Sequence, residues 1–122
     1  MNFKRLRIWQ EAHYLTLEIY RLTQSFPPHE VEGLSLEMRN SVLRIASQIA
    51  RASGVLDAGD RVRSLRAALR SAKELKVRIE IAKGFNFIDV SPAQELSNQA
   101  DRIELMLKKS LLKVRTAAQH KK

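Results

Sequence analysis

Four cations recur at helical spacing near the middle of the chain, at Arg63, Arg66, Arg70 and Lys73. At about 100° per residue they fall within an arc of about 80°, which we expect to flank the apolar face of their helix instead of opposing it. Arg66 and Arg70 are like charges four residues apart, and such a pair costs an isolated helix about 0.2–0.5 kcal/mol. The row therefore predicts an anionic partner, while a solvated helix face is the alternative interpretation.

Further cations lie on the two helices predicted on either side of this row. The last predicted helix carries a second basic set, which either enlarges the phosphate footprint or is only a solubilising end: Lys108, Lys109, Lys113 and Arg115. Arg44 and Arg51 either extend the basic face or pair with Glu37 or with carboxylates of another subunit. Together with the first row, these ten cations are the candidate nucleic-acid-binding residues.

Residues that could perform catalysis or bind a metal are not grouped in the sequence. The chain has no cysteine, which excludes a thiolate nucleophile and a Cys-ligated metal site. His13, His29 and His120 are far apart, and we expect His13 to be a packing residue at a boundary. Three helical serines lack a base at a supporting spacing and are predicted to be close-packing positions: Ser41, Ser47 and Ser71. The sequence thus predicts no enzyme, no metal, no cofactor and no small-molecule substrate.

Composition predicts one helical domain with a basic surface. The 122 residues are 44% hydrophobic and 29% charged, as in globular proteins, and the formal net charge is +9 with a pI near 10.4. This charge favours nucleic acid, RNA in preference to DNA, or an acidic surface as the partner. No secretory signal and no membrane span are recognisable, so we expect a cytoplasmic protein without a membrane partner.

Apolar residues at three- and four-residue spacing predict four helices. The first covers residues 4–25 and ends before Pro27. The second starts between Pro28 and Glu32 and ends at Gly54, which is expected to cap it in the left-handed conformation. The third covers residues 60–84 with Asp57 or Asp60 as its N-cap, and the fourth follows a capping box formed by residues 91–94.

Short connections make consecutive helices antiparallel neighbours, so the expected fold is an all-α, up-down-up-down four-helix bundle over residues 1–118. Residues 119–122 are predicted to be a disordered basic tail. The aromatic loop 85–90 is expected to plug one end of the bundle, and Trp9 to join the core, the alternative for Trp9 being to stack on a base. Lys76 projects near the edge of the apolar arc, where it snorkels, lies at an interface or lines a pore.

The second helix is apolar over more than half of its circumference. A second row, Leu36, Leu43, Ala46 and Ala50, runs beside its core-facing residues. A single packed face does not need this breadth, so we expect burial on two sides, including a contact between subunits.

The order and spacing of motifs over about residues 3–112 resemble the small four-helix-bundle proteins encoded in intervening sequences of bacterial large-subunit ribosomal RNA genes. The residues that carry the resemblance are Phe3, Leu6, Trp9-Gln10, Ala12, Ile19-Tyr20, Phe26-Pro27, Glu30, Gly33-Leu34, Arg39, Ile45, Ile49-Ala50, Ala68, Ser71 and Glu74-Leu75. Most departures add positive charge. The family's usual Asn-Ile-Ala-Glu-Gly is Gln-Ile-Ala-Arg-Ala at residues 48–52, for example.

These departures move the chain toward a related branch, the accessory variability proteins of diversity-generating retroelements. That resemblance implies a homopentameric barrel that binds a reverse transcriptase and its template RNA. Our prediction is therefore a non-enzymatic, oligomeric RNA-binding protein. The alternative is a protein-interaction scaffold whose basic rows dock an acidic protein without binding nucleic acid.

Overall fold

The computed structural model describes residues 2–120, and it describes the side chains as far as Ala117. The chain forms four α-helices: α1 (Arg7–Thr23), α2 (Leu34–Gly54), α3 (Ala58–Gly84) and α4 (Val90–His120). Two single-turn 3-10 helices, Phe3–Arg5 and Pro28–Glu30, precede α1 and α2. Lys121 and Lys122 lie outside the described residues, so the disordered tail expected over residues 119–122 stays a prediction.

The helices form the predicted up-and-down bundle. Each helix packs against the next one in the chain, and α4 returns to pack against α1, whereas the backbones of the diagonal pairs stay farther apart in the described part of the chain. One apolar face of each helix meets the others in a single core, in which Leu15, Ile45, Leu75 and Ile103 are fully buried. The all-α antiparallel four-helix bundle expected from the sequence is thus confirmed.

The start of α2 differs from the expectation for a physical reason. Residues 28–30 turn as a 3-10 helix, so α2 begins at Leu34 and not between Pro28 and Glu32. The carboxylate of Glu30 accepts the amide hydrogen of Leu34 at 2.8 Å. It thereby provides a partner for one of the free donors at the helix start, where negative charge is also favourable.

The caps that join the remaining helices are partly as predicted. Asp57 is the N-cap of α3, because its Oδ2 accepts the amide hydrogen of Asp60 at 2.9 Å, and α3 ends at Gly84 as expected. The left-handed cap at Gly54 was wrong: Gly54 has no positive φ, and the following Val55 is extended. The left-handed residue is instead Asn86, with φ 62°, in the loop after α3.

Only part of the loop between α3 and α4 closes the end of the bundle. Ile88 is buried, and Phe87 packs on Phe26 with ring centroids 5.3 Å apart. Phe85 stacks on Phe87 but is 64% exposed. The predicted capping box was also wrong, because α4 already begins at Val90 and the side-chain amide of Gln94 donates to Asn98 at 3.0 Å.

Two arginines join neighbouring helices through hydrogen bonds. Arg39 of α2 donates to the Thr23 hydroxyl at 2.9 Å, near the end of α1, and lies over the ring of Tyr20. Arg78 of α3 donates to Glu37 at 3.0 Å and to the buried hydroxyl of Ser41 at 2.6 Å, both on α2. These contacts fix the antiparallel register of α1, α2 and α3.

Lys76 joins α3 to α4. The sequence alone had left the role of this residue open. Its ammonium lies 2.7 Å from a carboxylate oxygen of Asp101 and 3.1 Å from one of Glu104. These two carboxylates, Asp101 first, raise the pKa of Lys76 above its ordinary value of 10.5. Glu104 is only 8% exposed, so Lys76 supplies a counter-charge to a carboxylate that has little access to water.

We predict that Lys76→Met destabilises the bundle by about 1–3 kcal/mol, because the buried Glu104 carboxylate then keeps only the distant contact with Lys108, at 3.9 Å. Urea unfolding followed by circular dichroism measures this loss. Lys83→Met is the matched control, since within residues 2–117 Lys83 pairs only with the exposed Glu80 on its own helix and such pairs contribute little. Equal losses in the two variants would contradict the assigned role of Lys76.

Candidate nucleic-acid interface

The buried face of α3 is built mainly from small side chains. Ser64, Ala68, Ser71 and Ala72 are all buried, together with Leu65, Leu75, Ile79 and Ala82. By contrast, Val62 and Leu69, two larger apolar residues of the same helix, are only partly buried. The helix is therefore rotated toward its small residues, which allow α2 and α4 to approach closely.

This rotation points the basic row away from the core. With about 100° per residue, the centre of the arc that holds Arg66, Arg70 and Lys73 lies about 180° from the centre of the buried face. All three side chains are exposed. The expectation that the row flanks the apolar face was thus wrong. It placed the centre of the apolar face nearer to the large apolar residues, whereas the buried face is centred nearer to the small ones. A ligand would meet these cations on the outermost surface of α3.

The cations of the row differ in their partners. Arg63 pairs with Asp60, one turn earlier on the same helix. Within residues 2–117, no carboxylate oxygen lies within 4.0 Å of Arg66, Arg70 or Lys73. The positive charges and hydrogen-bond donors of these three side chains are therefore available to an anion.

The cations of α2 lie beside this row. The contacts of Arg78 with Glu37 and Ser41 set an antiparallel register that brings Arg44 to the level of Arg70. Arg51 is correspondingly close to the start of α3. Both side chains are exposed, and Glu37, the partner considered for them from the sequence, pairs with Arg78 instead. Arg44 and Arg51 therefore extend the basic surface from α3 onto α2.

The cations of α4 lie at the same end of the bundle. The contact of Lys76 with Asp101 and Glu104 aligns the later part of α4 with the first half of α3. Lys108 is 3.9 Å from Glu104, a distant and weak pair. The other three candidates are exposed and have no carboxylate within 4.0 Å among the described side chains: Lys109, Lys113 and Arg115.

Charge is consequently separated along the axis of the bundle. One half, formed by residues 2–17, 44–73 and 108–120 and called here the basic half, carries fourteen lysines and arginines against three carboxylates. The other half, formed by residues 18–43 and 74–107 and called the mixed half, carries six against ten. All ten predicted binding residues belong to the basic half, together with Lys4, Arg5, Arg7 and Arg61.

Sequence reasoning missed the four additional cations and the separation itself. The sequence did contain this information. Consecutive antiparallel helices alternate in direction, so the charges of the half-helices that share one end of the bundle can be added together. Counting charge along the chain, helix by helix, concealed this pattern.

The residues that the sequence offered for base stacking, catalysis or metal binding have mainly packing contacts in the structure. Trp9 packs against the core and stacks on the exposed His13 ring, with centroids 4.8 Å apart. Ser41 and Ser71 are buried as predicted, but Ser47 is exposed, so its role as a close-packing residue was wrong. Among residues 2–117 no three histidine, aspartate or glutamate side chains cluster as metal ligands would. No helix in the described part of the chain has the length and hydropathy of a membrane span.

Comparison with known proteins identifies the fold and a family. A family model described as "23S rRNA-intervening sequence protein" matches residues 4–109. A 1.70 Å crystal structure from Bacteroides thetaiotaomicron, described as a protein with unknown function from the S23 ribosomal protein family, superposes with a TM-score of 0.77. The two sequences are 17% identical, and the alignment covers 85% of this chain and 97% of the other. Nothing among the curated proteins matches the chain.

We predict that Arg66→Gln combined with Arg70→Gln leaves the bundle as stable as the wild type, or more stable by about 0.2–0.5 kcal/mol. The substitutions remove repulsion between like charges and no ion pair. Urea unfolding checks this. Arg78→Gln is the contrasting variant, with an expected loss of about 1–3 kcal/mol because it deprives the buried Ser41 hydroxyl of its partner. A marked loss in the Arg66 and Arg70 double variant would show that these residues hold the fold.

Proposed function

This chain belongs to the family of 23S rRNA-intervening sequence proteins, and from this premise we propose that it is a non-catalytic protein that binds RNA through its basic half. The family name refers to an intervening sequence of ribosomal RNA, which agrees with RNA as the polyanion. A role beside a reverse transcriptase, implied by the resemblance to accessory variability proteins, stays a prediction.

The observation that carries the proposal is the set of outward cations without carboxylate partners. Arg66, Arg70 and Lys73 are separated by about 6 Å and 4.5 Å along the helix axis, less than the Debye length of about 8 Å at physiological ionic strength. Their fields therefore add at the surface of α3. A surface of this kind attracts an extended chain of phosphates more strongly than it attracts one small anion.

Such a surface predicts a particular mode of binding. Lysine and arginine contacts to phosphates fix position without reading bases, so unrelated RNA sequences should bind with similar affinity. Each neutralised phosphate releases counterions, so affinity should fall steeply as salt rises. The mixed half, with more carboxylates than cations, should repel the same RNA and leave the basic half as the contact surface.

The proposal includes no catalytic step. Nucleophilic catalysis needs a hydroxyl, a base and an orienting group within hydrogen-bond reach. In the described part of the chain, the hydroxyls of Thr16, Thr23 and Ser53 donate to backbone carbonyls of their own helices. The ring of His13 stacks on Trp9 instead of facing a hydroxyl.

We also propose that copies of this chain associate, as a homopentamer in the arrangement the resemblance implies. Leu36 and Leu43 are 43% and 45% exposed on the outward side of α2, one helical repeat of seven residues apart. Val77 on α3 is 60% exposed at the level of Leu36. All three side chains belong to the mixed half, so packing them between copies need not bring the fourteen cations of each basic half into contact.

For RNA binding, we predict that replacing Arg66, Arg70 and Lys73 by Gln weakens affinity by about 10- to 100-fold near physiological salt and reduces the slope of log affinity against log salt by about 2 to 3. Filter binding or fluorescence anisotropy over a salt series, with several unrelated RNAs, measures both quantities. The matched control replaces two arginines and one lysine of the mixed half by Gln: Arg21, Arg102 and Lys83.

Equal losses in the two triple variants would mean that net charge alone, and not the basic row, attracts RNA. If wild-type protein retards no RNA even at low salt, the proposal is wrong and the scaffold that docks an acidic protein is the better interpretation.

For self-association, we predict that Leu36→Ser combined with Leu43→Ser reduces the mass in solution to that of the 14.0 kDa chain while helicity is retained. The leucines are nearly half exposed, so polar replacements cost the isolated bundle little. Light scattering after gel filtration gives the mass. Leu105→Ser with Leu112→Ser, two exposed leucines on α4, is the control expected to keep the wild-type mass. A wild-type protein that is already a monomer would refute this part.

A further inference from the structure

An open pocket of about 540 Å³ lies within the basic half, where the starts of α1 and α3 meet the end of α2 and the later part of α4. Its walls are mostly aliphatic, with Leu6 and Ile8 on one side and Leu65 and Val114 among the other lining residues. Ile49 and Ala52, both buried, also line it. This volume falls in the range of about 300–1,000 Å³ that small-molecule sites occupy.

The polar groups of the pocket are suited to an anion and to hydrogen bonding. Among the described side chains, Arg61 and Lys113 are its two charged lining residues, and none of the lining residues is a carboxylate. One Nη of Arg61 donates to the carbonyl of Val55 at 2.9 Å, which holds the guanidinium in place while its other donors stay available. Two hydroxyls, from Ser53 and Ser110, complete the lining.

We propose that this pocket binds one unpaired nucleotide of an RNA, with the base between the aliphatic side chains and its phosphate on Arg61 and Lys113. The inference rests on the proposed RNA-binding function and adds a preference to it. Phosphate contacts alone do not distinguish paired from unpaired RNA. A pocket that encloses a base does, because only an unstacked base can enter it.

The positive charge around the pocket favours a base attached to RNA over other apolar ligands. The pocket opens within the half that carries fourteen cations against three carboxylates, so a ligand attached to a polyanion is concentrated there. A base has two apolar faces for the walls and polar edges for the hydroxyls of Ser53 and Ser110. Ser53 already donates to the carbonyl of Ala50 at 2.7 Å, so its oxygen remains free to accept.

The test compares a variant that fills the pocket with one that keeps it open. Ser110→Leu places an isobutyl group in the cavity, whereas Ser110→Ala leaves the space open; Ser110 is partly buried on a helix, where both replacements are good helix formers. Affinity is measured for a short unpaired RNA and for the fully paired duplex of the same sequence. We expect Ser110→Leu to weaken binding of the unpaired RNA about tenfold and to leave duplex binding unchanged, while Ser110→Ala, which removes only the hydroxyl and leaves the space open, weakens binding of the unpaired RNA less than Ser110→Leu does.

A second measurement uses the wild-type protein and so does not depend on how the variants fold. Adenosine monophosphate is titrated against protein with labelled methyl groups, and we expect the signals of Ile8, Leu65 and Val114 to shift. Lys113→Gln should weaken these shifts, whereas Lys83→Gln, the same change on a residue of the mixed half, should not. Dodecanoate is titrated in parallel as an apolar anion without a base.

The pocket proposal is overturned if Ser110→Leu affects unpaired and duplex RNA equally, or neither of them. It is also overturned if dodecanoate shifts the methyl signals and adenosine monophosphate does not, since the site would then bind an amphiphile. RNA binding without a preference for unpaired strands refutes the pocket alone. Absence of any RNA binding by the wild type, with no shift on adding the nucleotide, refutes the pocket and the proposed function together.

Discussion

The close packing of small side chains along one face of α3 is the constraint on which the rest of the structure depends. Ser64, Ala68 and Ser71 are buried on α3, which packs against α2 and α4, and their burial sets the rotation of α3 about its own axis. Because the helix period is fixed, the same rotation points Arg66 and Arg70 directly outward. Side chains at core edges would snorkel along neighbouring apolar surface, but outward ones stand free in solvent. Packing inside the bundle thus determines what the surface offers to a ligand.

The antiparallel topology converts this local feature into a property of the whole molecule. The starts of α1 and α3 and the ends of α2 and α4 share one end, and each contributes cations there. Carboxylates concentrate at the other end, where Arg78 and Lys76 are occupied by ion pairs that join helices. The two halves therefore differ in how their charges are used: ion pairs in the mixed half hold helices together, whereas most cations of the basic half have no carboxylate partner among the described side chains.

The sequence was sufficient for the fold because its signals are periodic and local. The seams of apolar residues, the prolines after α1 and Asp57 before α3 together predict four antiparallel helices, and the family follows from motifs spread over them. It was insufficient for the orientation of the cations, since small residues such as Ala68 and Ser71 give a weak apolar signal although they are buried. It also could not identify the partners of Lys76 and Arg78 or the end pocket, because these depend on the register between helices, which residue spacing within one helix does not contain.

The central claim is that RNA contacts the basic half and not the mixed half, and photo-crosslinking of bound RNA followed by mass spectrometry of the peptides tests it most directly. The account predicts crosslinked peptides from residues 44–73 and 108–120, with few or none from residues 18–43 and 74–107. Crosslinks distributed evenly over both halves, or concentrated in the mixed half, would contradict it.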